Sequence, residues 1–180
     1  MKKVILGAIV AVALMCSESK ATTYTVNALD VWDSTGITLT PSDSVTFSGA
    51  SGVWAWESGQ FVSPDGNSAF NDSTNWIPGD NKGELIGFVG SVDPTTYING
   101  GGPPPGDLFG IGTNTVTLSG LSGLLWLGIN DDMNCAGCQF DNSGSVTVDV
   151  ATSQVPEPST LLLLGSGLTG LVAMRRFRKV

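Results

Sequence analysis

The chain has 180 residues, a net charge of −8 and no histidine. Without histidine it cannot build a Ser-His-Asp or Cys-His catalytic site, and it lacks the commonest side-chain ligand of transition metals. Its acidic balance disfavours contact with phosphate backbones, so we expect no nucleic-acid partner.

The N-terminal segment has the layout of a secretory signal peptide. Lys2 and Lys3 precede an apolar run from residue 4 to residue 15, which is the charged-then-apolar order that export signals share. The triplet Ser19-Lys20-Ala21 has small residues at the two positions that a signal peptidase reads. We therefore predict a helical signal peptide over residues 1–21.

A lipoprotein signal is the alternative interpretation of the same segment. Cys16 would then be the acylated residue, although Met15 before it is not the small residue that such a site prefers. Both interpretations place the rest of the chain outside the cytoplasm, in compartments where disulfides are common.

Residues 22–153 form the segment between the two predicted targeting regions. About 130 residues are enough for one compact domain with its own core, and too few for two. The segment has twelve Asp and two Glu against the single Lys82, a net charge of −13. Such a surface suits divalent cations, neutral sugars or simple solubility.

This middle segment contains many short β-branched runs separated by turn residues. Predicted strands cover residues 23–26, 37–40, 44–48, 83–90, 115–118, 124–129 and 145–150. Pro41-Ser42-Asp43 predicts a hairpin turn, and residues 58–82 and 93–107 predict long loops. No interior stretch has a 3.6-residue period. The sequence therefore predicts an all-β fold, an antiparallel β-sandwich of the jelly-roll type.

Tryptophans in this segment have two interpretations. Trp54 and Trp56 alternate with other residues and should point to the same side of a strand, while Trp76 falls in a predicted loop. Tryptophans on strands usually pack in the core, but an exposed indole can stack on a sugar ring. We keep Trp56 and Trp76 as candidate sugar-binding residues.

The segment between the last two predicted strands is rich in oxygen ligands. Asp131, Asp132, Asn134, Asp141 and Asn142 lie between the strand that ends at residue 129 and the one that begins at residue 145. We predict that these two strands form a hairpin, so that their ends are neighbours and the side chains can converge on one point. Ca²⁺ binds six to eight oxygens in flexible geometry, so the sequence predicts a calcium site here.

Two stretches of this region resemble the calcium-and-sugar loop of galactose-specific, calcium-dependent bacterial lectins. They are Gly-Ile-Asn-Asp at 128–131 and Asp-Asn-Ser-Gly-Ser-Val-Thr-Val at 141–148, with weaker agreement at 41–47 and 83–90. The resemblance implies Asp131, Asp141 and Asn142 as side-chain ligands of Ca²⁺, and a bound Ca²⁺ that contacts sugar hydroxyls. The histidine and glutamine that those lectins present to the sugar have no counterpart around residues 70–73. A purely structural role for calcium therefore stays open.

Cys135 and Cys138 form a Cys-x-x-Cys pair inside the same loop. In an exported domain such an isolated pair favours a disulfide that closes the loop. The alternatives are a redox centre or half of a zinc site, but zinc would need two more soft ligands, and the predicted mature domain has no other cysteine or histidine. We predict the disulfide.

The last residues have three parts in a fixed order. Val155-Pro156-Glu157-Pro158 cannot continue a helix or a central strand, and an apolar run follows from residue 161 to residue 174. The basic end contains Arg175, Arg176, Arg178 and Lys179. The apolar run alone is short for a membrane span, but the segment from Ser159 to Phe177, with arginines snorkelling at its end, is just long enough for a transmembrane helix. The basic end should be cytoplasmic.

This tail resembles the PEP-CTERM sorting signal of Gram-negative bacteria. The resemblance implies recognition by an exosortase, export, transient anchoring in the inner membrane and a final place at the cell surface or outside the cell. Residues 154–180 would be the sorting tail. A plain C-terminal anchor is the alternative interpretation.

Three functions compete after this reading of the sequence. The first is an exported surface or matrix protein with a calcium-stabilised sandwich that binds carbohydrate, such as the exopolysaccharide of a biofilm. The second is a purely structural matrix protein without a sugar ligand. The third is a glycosidase with Glu57 and Glu84 as its carboxylate pair, but their spacing does not support it. We expect no enzymatic activity.

Overall fold

A computed structural model describes residues 21–98, 102–133 and 137–154, together with Gly165 and Gly167. The predicted signal helix lies outside the described residues, apart from Ala21. The predicted transmembrane helix also lies outside them, except for Gly165 and Gly167, which are helical. In the described part of the chain, no helix is long and apolar enough to cross a membrane.

The described residues form two five-stranded antiparallel sheets. The first sheet consists of β1 (Ala21–Asn27), β10 (Ser143–Gln154), β3 (Asp43–Ala55), β4 (Phe61–Val62) and β8 (Val116–Ser119). The second consists of β2 (Trp32–Leu39), β9 (Gly123–Ile129), β6 (Lys82–Gly90), β5 (Asp65–Asn67) and β7 (Gly106–Gly110). Three 3-10 helices connect strands: η1 (Ala28–Asp30), η2 (Pro94–Tyr97) and η3 (Cys138–Asp141). The prediction of an antiparallel β-sandwich is confirmed, and its jelly-roll subtype stays a prediction.

The core lies between the two sheets and follows from period-two alternation. In β10 the buried residues are Val146, Val148 and Val150, and the residues between them face outward. They pack with the inward side chains of β3 and β9, which include Phe47 and Leu127. Because side chains alternate across a strand, each of these sequences supplies one apolar face.

A second apolar cluster covers the outer face of the second sheet. Trp32, Ile86 and Phe88 project from its strands, and Trp76 and Met133 reach them from the loops. Trp32 and Trp76 pack edge to face, with ring centroids 5.3 Å apart. β6 is therefore buried on both faces, which explains why its sequence is almost continuously apolar instead of alternating.

Two predicted hairpins are wrong. A turn does follow β2, since the Asp43 N–H donates to the Thr40 carbonyl over 2.8 Å, but β2 pairs with β9 while β3 pairs with β10. The turn therefore carries the chain from one sheet to the other. The same holds for β9 and β10, which belong to different sheets. A turn motif specifies local geometry only, whereas long-range burial selects the strand's partner.

The two long predicted loops contain short strands. β4 and β5 lie between residues 58 and 82, and β7 begins at the end of the second predicted loop and continues to Gly110. β4 and β5 have two and three residues, and β7 is Gly-Asp-Leu-Phe-Gly. None has enough alternation for a period-two signal, so pairing with β3 or β6 defines them.

Candidate functional site

Asn130 ties two loops together at the end of β9. Its side-chain oxygen accepts the Ile77 N–H over 2.9 Å, and its amide nitrogen donates to the Asn81 carbonyl over 3.1 Å. Its backbone carbonyl accepts the Gly83 N–H over 2.7 Å. Asn130 is fully buried, so these bonds replace contacts with water that it has lost. The segment that follows is held against residues 74–83.

Asp131 is the first predicted calcium ligand, and it is almost completely buried. Its Oδ1 lies 3.2 Å from the Nζ of Lys82 and accepts the Asp132 N–H over 2.7 Å. Lys82 is the single cation of residues 22–153. Its ammonium compensates the Asp131 charge, which would be costly to bury alone. This pair was not predicted from the sequence, although a single lysine in an acidic domain is a detectable signal.

Asp141 and Asn142 lie where η3 meets β10. Asp141 is exposed, whereas only 3% of Asn142 is exposed. The Asn142 amide nitrogen donates to the carbonyl of Ala28 over 3.2 Å, which ties η3 to η1. Its side-chain oxygen is buried and has no hydrogen-bond partner. A buried acceptor without a donor is a plausible place for a cation, because desolvating it without compensation is unfavourable.

The fit of these residues to calcium is mixed. The orphaned Asn142 oxygen and the exposed Asp141 carboxylate suit a hard cation. Asp131, in contrast, already has an ammonium at one oxygen. Within the described ranges, no group of three or more acidic or cysteine side chains is arranged to hold a metal ion. The ligand set of Asp131, Asp141 and Asn142 stays a prediction.

The predicted disulfide falls largely outside the described residues. Cys135 is not among them, and for Cys138 only the backbone, which begins η3, is described. The Cys135–Cys138 pairing therefore stays a prediction. If it forms, it closes the part of the loop between Met133 and η3.

The two candidate sugar-stacking tryptophans are both buried. Trp56 is 4% exposed and packs on Phe70 with ring centroids 5.6 Å apart, while Trp76 is 1% exposed and packs on Trp32. Stacking on a sugar needs an exposed ring face. In this conformation neither indole offers one, so the structure gives no support to these two residues as sugar contacts.

Exposed apolar side chains gather at the same end of the sandwich. They are Leu29, Val53, Phe61, Phe70 and Phe140, with exposed fractions between 42% and 80%. We call these five residues the apolar rim. No other large hydrophobic side chain in the described ranges is exposed to this extent.

The register of the strands places the rim next to the predicted ligands. Ser143, which follows Asn142, is opposite Ala55, and Ala55 is opposite Phe61 on β4. Val53 lies on the same strand, two residues before Ala55. Phe140 belongs to η3, which packs against the η1 helix that contains Leu29. Phe70 is placed by its contact with Trp56, the residue after β3. Sequence reasoning missed the rim because its members are scattered along the chain.

A second acidic group surrounds Glu84. Burial is the main factor that raises its pKa from the ordinary 4.5 to about 7, with further contributions from the charges of Asp80 and Asp65. Asp65 itself accepts hydrogen bonds from the backbone and hydroxyl of Thr113, over 2.7 and 2.8 Å. Glu84 is therefore a titrating group in the neutral range. Glu57, its proposed glycosidase partner, is exposed in the turn after β3.

Comparison with protein families identifies the tail. Residues 154–179 match the model of the PEP-CTERM protein-sorting motif. The chain carries a PEP-CTERM sorting motif. The match confirms the predicted resemblance to a PEP-CTERM sorting signal, and it indicates an exported, exosortase-sorted protein. The separate roles of Val155-Pro156-Glu157-Pro158 and of the basic end stay predictions. The match does not extend to the sandwich.

The sandwich has a distant likeness among solved structures. One similar structure is described as EclA N-terminal domain, a PllA-like lectin, with 17% sequence identity and a TM-score of 0.48. The match covers 73% of this chain and 95% of that domain. At this level the likeness carries no functional inference. A comparison with curated protein sequences finds no significant match.

Proposed function

We propose that this protein is an exosortase-sorted surface or matrix protein whose sandwich binds neutral carbohydrate at the apolar rim, next to a calcium site. The observation that carries this proposal is the position of the rim. The exposed large apolar side chains lie at the end of the sandwich that also contains Asp131, Asp141 and Asn142. Soluble domains rarely cluster exposed aromatic residues without a binding role.

The chemistry of this end favours a neutral sugar over other partners. Phenylalanine faces can pack on the apolar faces of pyranose rings, and exposed carboxylates such as Asp141 can accept hydrogen bonds from sugar hydroxyls. The charge of −13 over residues 22–153 opposes binding to anionic lipids or polyanions. An exopolysaccharide without strong negative charge meets these conditions.

Calcium is the second part of the proposal. Asp141 and the unpartnered oxygen of Asn142 would provide ligands, and Asp131 would join them only if Lys82 moved away from its Oδ1. Bound Ca²⁺ would fix η3 against the start of β10. It could also accept two sugar hydroxyls, since its coordination sphere is large and flexible.

A purely structural matrix protein is the second candidate function. The Lys82–Asp131 pair favours it, because this pair already compensates the buried charge of the loop without a metal. The difference between the two functions can be measured directly.

Thermal unfolding of residues 22–154 with excess Ca²⁺ or with a chelator tests the calcium site. A ligand that binds only the folded state stabilises it by about 1.4 kcal/mol for each tenfold excess over its Kd. We expect Asp141→Ala to reduce the shift and Lys82→Gln to increase it, because the competing ammonium is lost. An unchanged melting temperature at millimolar calcium would exclude the calcium site.

An array of neutral oligosaccharides, probed with calcium present, tests the sugar site. We expect binding by the wild type and loss of binding in Phe61→Ala/Phe140→Ala. The matched control is Thr46→Ala/Thr117→Ala, at the opposite end of β3. If the wild type binds no neutral glycan, the structural alternative is correct.

The tail determines where this site is presented. We propose that it anchors the precursor in the inner membrane until an exosortase processes it. Pro156→Ala/Pro158→Ala should leave the precursor unprocessed in an exosortase-bearing host, as measured by its mass on a gel. Changing Pro103 and Pro105, which lie in the sandwich, is the control. Normal processing of the tail variant would contradict the assignment.

A further inference from the structure

The lateral edges of the two sheets differ in how they are protected. β4, β5 and β8 have only two, three and four residues, β7 contains Asp107, and β2 has a register shift between Ser34 and Thr38. Short length, charge and irregular register are the usual means of preventing edge-to-edge pairing. β1 has less protection: its seven residues contain no charge, glycine or proline and pair with β10 in unbroken register, and a carboxylate, that of Asp33, caps the edge only at Asn27.

One hydrogen bond shows which backbone groups of β1 are free. The N–H of Asn27 donates to the Asp33 carboxylate over 2.7 Å, so it faces away from β10. In an antiparallel strand, the N–H and C=O groups of one residue point to the same side, and every second residue points to that side again. The N–H and C=O groups of Thr25 and Thr23 therefore also point to the open edge, and among the described strands only β10 pairs with β1.

We propose that β1 pairs with β1 of a second copy of this chain, antiparallel, about a two-fold axis at Tyr24. In this register Thr23 lies opposite Thr25 of the second copy, and Thr25 lies opposite its Thr23. Each opposing pair exchanges two backbone hydrogen bonds, so the four N–H donors of the two edges together bond the four carbonyls of the opposite copies.

The sequence of β1 favours a second copy of the same strand as its partner. An antiparallel strand centred on one residue is complementary to its own two-fold copy, and threonine pairs across strands are favourable. Two domains of net charge −13 repel each other over most of their surface. β1 carries no charged side chain of its own, but Asp149 accepts a hydrogen bond from Thr23 and Asp33 accepts one from Asn27. Part of the repulsion between the two copies therefore remains at this edge, which also makes the dimer weak.

This pairing would join two five-stranded sheets into one continuous sheet. The dimer would present two apolar rims, and a repetitive ligand would then bind with avidity. A single edge contact is a small interface, so the dimer should be weak, with a Kd on the order of 10–1,000 μM.

Sedimentation equilibrium of residues 22–154 tests the proposal, since both apolar clusters use only residues of the sandwich. We expect a monomer–dimer equilibrium for the wild type. Thr25→Pro removes one edge donor from each copy without touching the β10 ladder, and should raise Kd at least about tenfold. Thr23→Glu/Thr25→Glu should abolish pairing, because each glutamate faces another. Thr117→Glu/Ser119→Glu on β8 is the matched control and should leave the Kd unchanged.

Amide hydrogen exchange of the wild type provides a test that needs no variant. The amides of Thr23 and Thr25 should gain protection as concentration rises, while the Asn27 amide, bonded within its own chain, should not change. A monomer at all concentrations up to about 1 mM, or a dimer in which these two amides stay unprotected, would overturn the proposal. Both results are independent of whether the rim binds a sugar.

Discussion

The outer faces of the two sheets differ in polarity and in burial. The outer face of the first sheet is exposed and carries many hydroxyl groups. The hydroxyl oxygens of Thr46 and Thr117 lie 2.9 Å apart, and so do those of Ser44 and Ser153. The outer face of the second sheet is closed by aromatic residues and by the loops that contain Trp76 and Met133. The loop that contains Met133 also contains Asp131, whose ion-pair partner Lys82 begins β6. This ion pair therefore belongs to the cover of the second sheet, whereas the hydroxyl face is uncovered.

Removing Trp76 should have the largest effect, because it opens the cover. Trp76 is 1% exposed and packs against Trp32, so Trp76→Ala should reduce the free energy of unfolding by about 3–5 kcal/mol. Chemical denaturation measures the loss. Trp76→Phe, which keeps much of the ring contact, should lose clearly less, and equal losses would show that the cover is not packed as described.

Breaking the Lys82–Asp131 pair should have the next largest effect. Lys82→Met leaves the Asp131 carboxylate buried without its cation, and we expect a loss of about 2–3 kcal/mol, since the lysine is partly accessible to solvent. The double variant Lys82→Met/Asp131→Asn should recover part of the loss. A double-mutant cycle gives the coupling energy, and a value near zero would mean that the pair does not hold the cover.

Much of this contrast between the faces can be predicted from the sequence. The strict alternation of Val146, Val148 and Val150 predicts a strand with one open face, and the continuous apolar sequence of β6 predicts burial on both faces. What covers β6 cannot be predicted locally. Trp76 precedes β6 by only six residues, but Met133 follows it by more than 40, and only the folded topology brings both onto Ile86 and Phe88.

The candidate site is less predictable than the fold for a related reason. The oxygen-bearing side chains predicted as ligands between residues 130 and 142 are visible in the sequence, but the ammonium that faces Asp131 comes from β6. The apolar rim combines residues from β3, β4, η1, η3 and the loop after β5. Such a site has no spacing rule, because sheet register rather than chain distance defines it.

The protonation of Glu84 makes the covered sheet sensitive to pH. Its pKa is about 7 in the folded protein against an ordinary 4.5, so between these values the folded state retains a proton that the unfolded chain has released. Stability should therefore fall as pH rises from about 5 to 8, by about 1–2 kcal/mol after allowance for solvent screening. Glu84→Gln should flatten this part of the pH profile in thermal unfolding. The exposed Glu57→Gln is the control, and a profile unchanged by Glu84→Gln would contradict the assignment.

The open face should respond least to substitution. Thr46→Val/Thr117→Val removes one cross-strand hydroxyl pair but keeps β-branched side chains on a pleated sheet, so the free energy of unfolding should change by less than about 1 kcal/mol. The same chemical denaturation used for Trp76→Ala measures it. A loss comparable to that of Trp76→Ala would mean that something packs on this face, and the two faces would then not differ as the structure describes. A small change would show that these hydroxyls contribute little to the stability of the fold and that this face is available for contact with solvent or a partner.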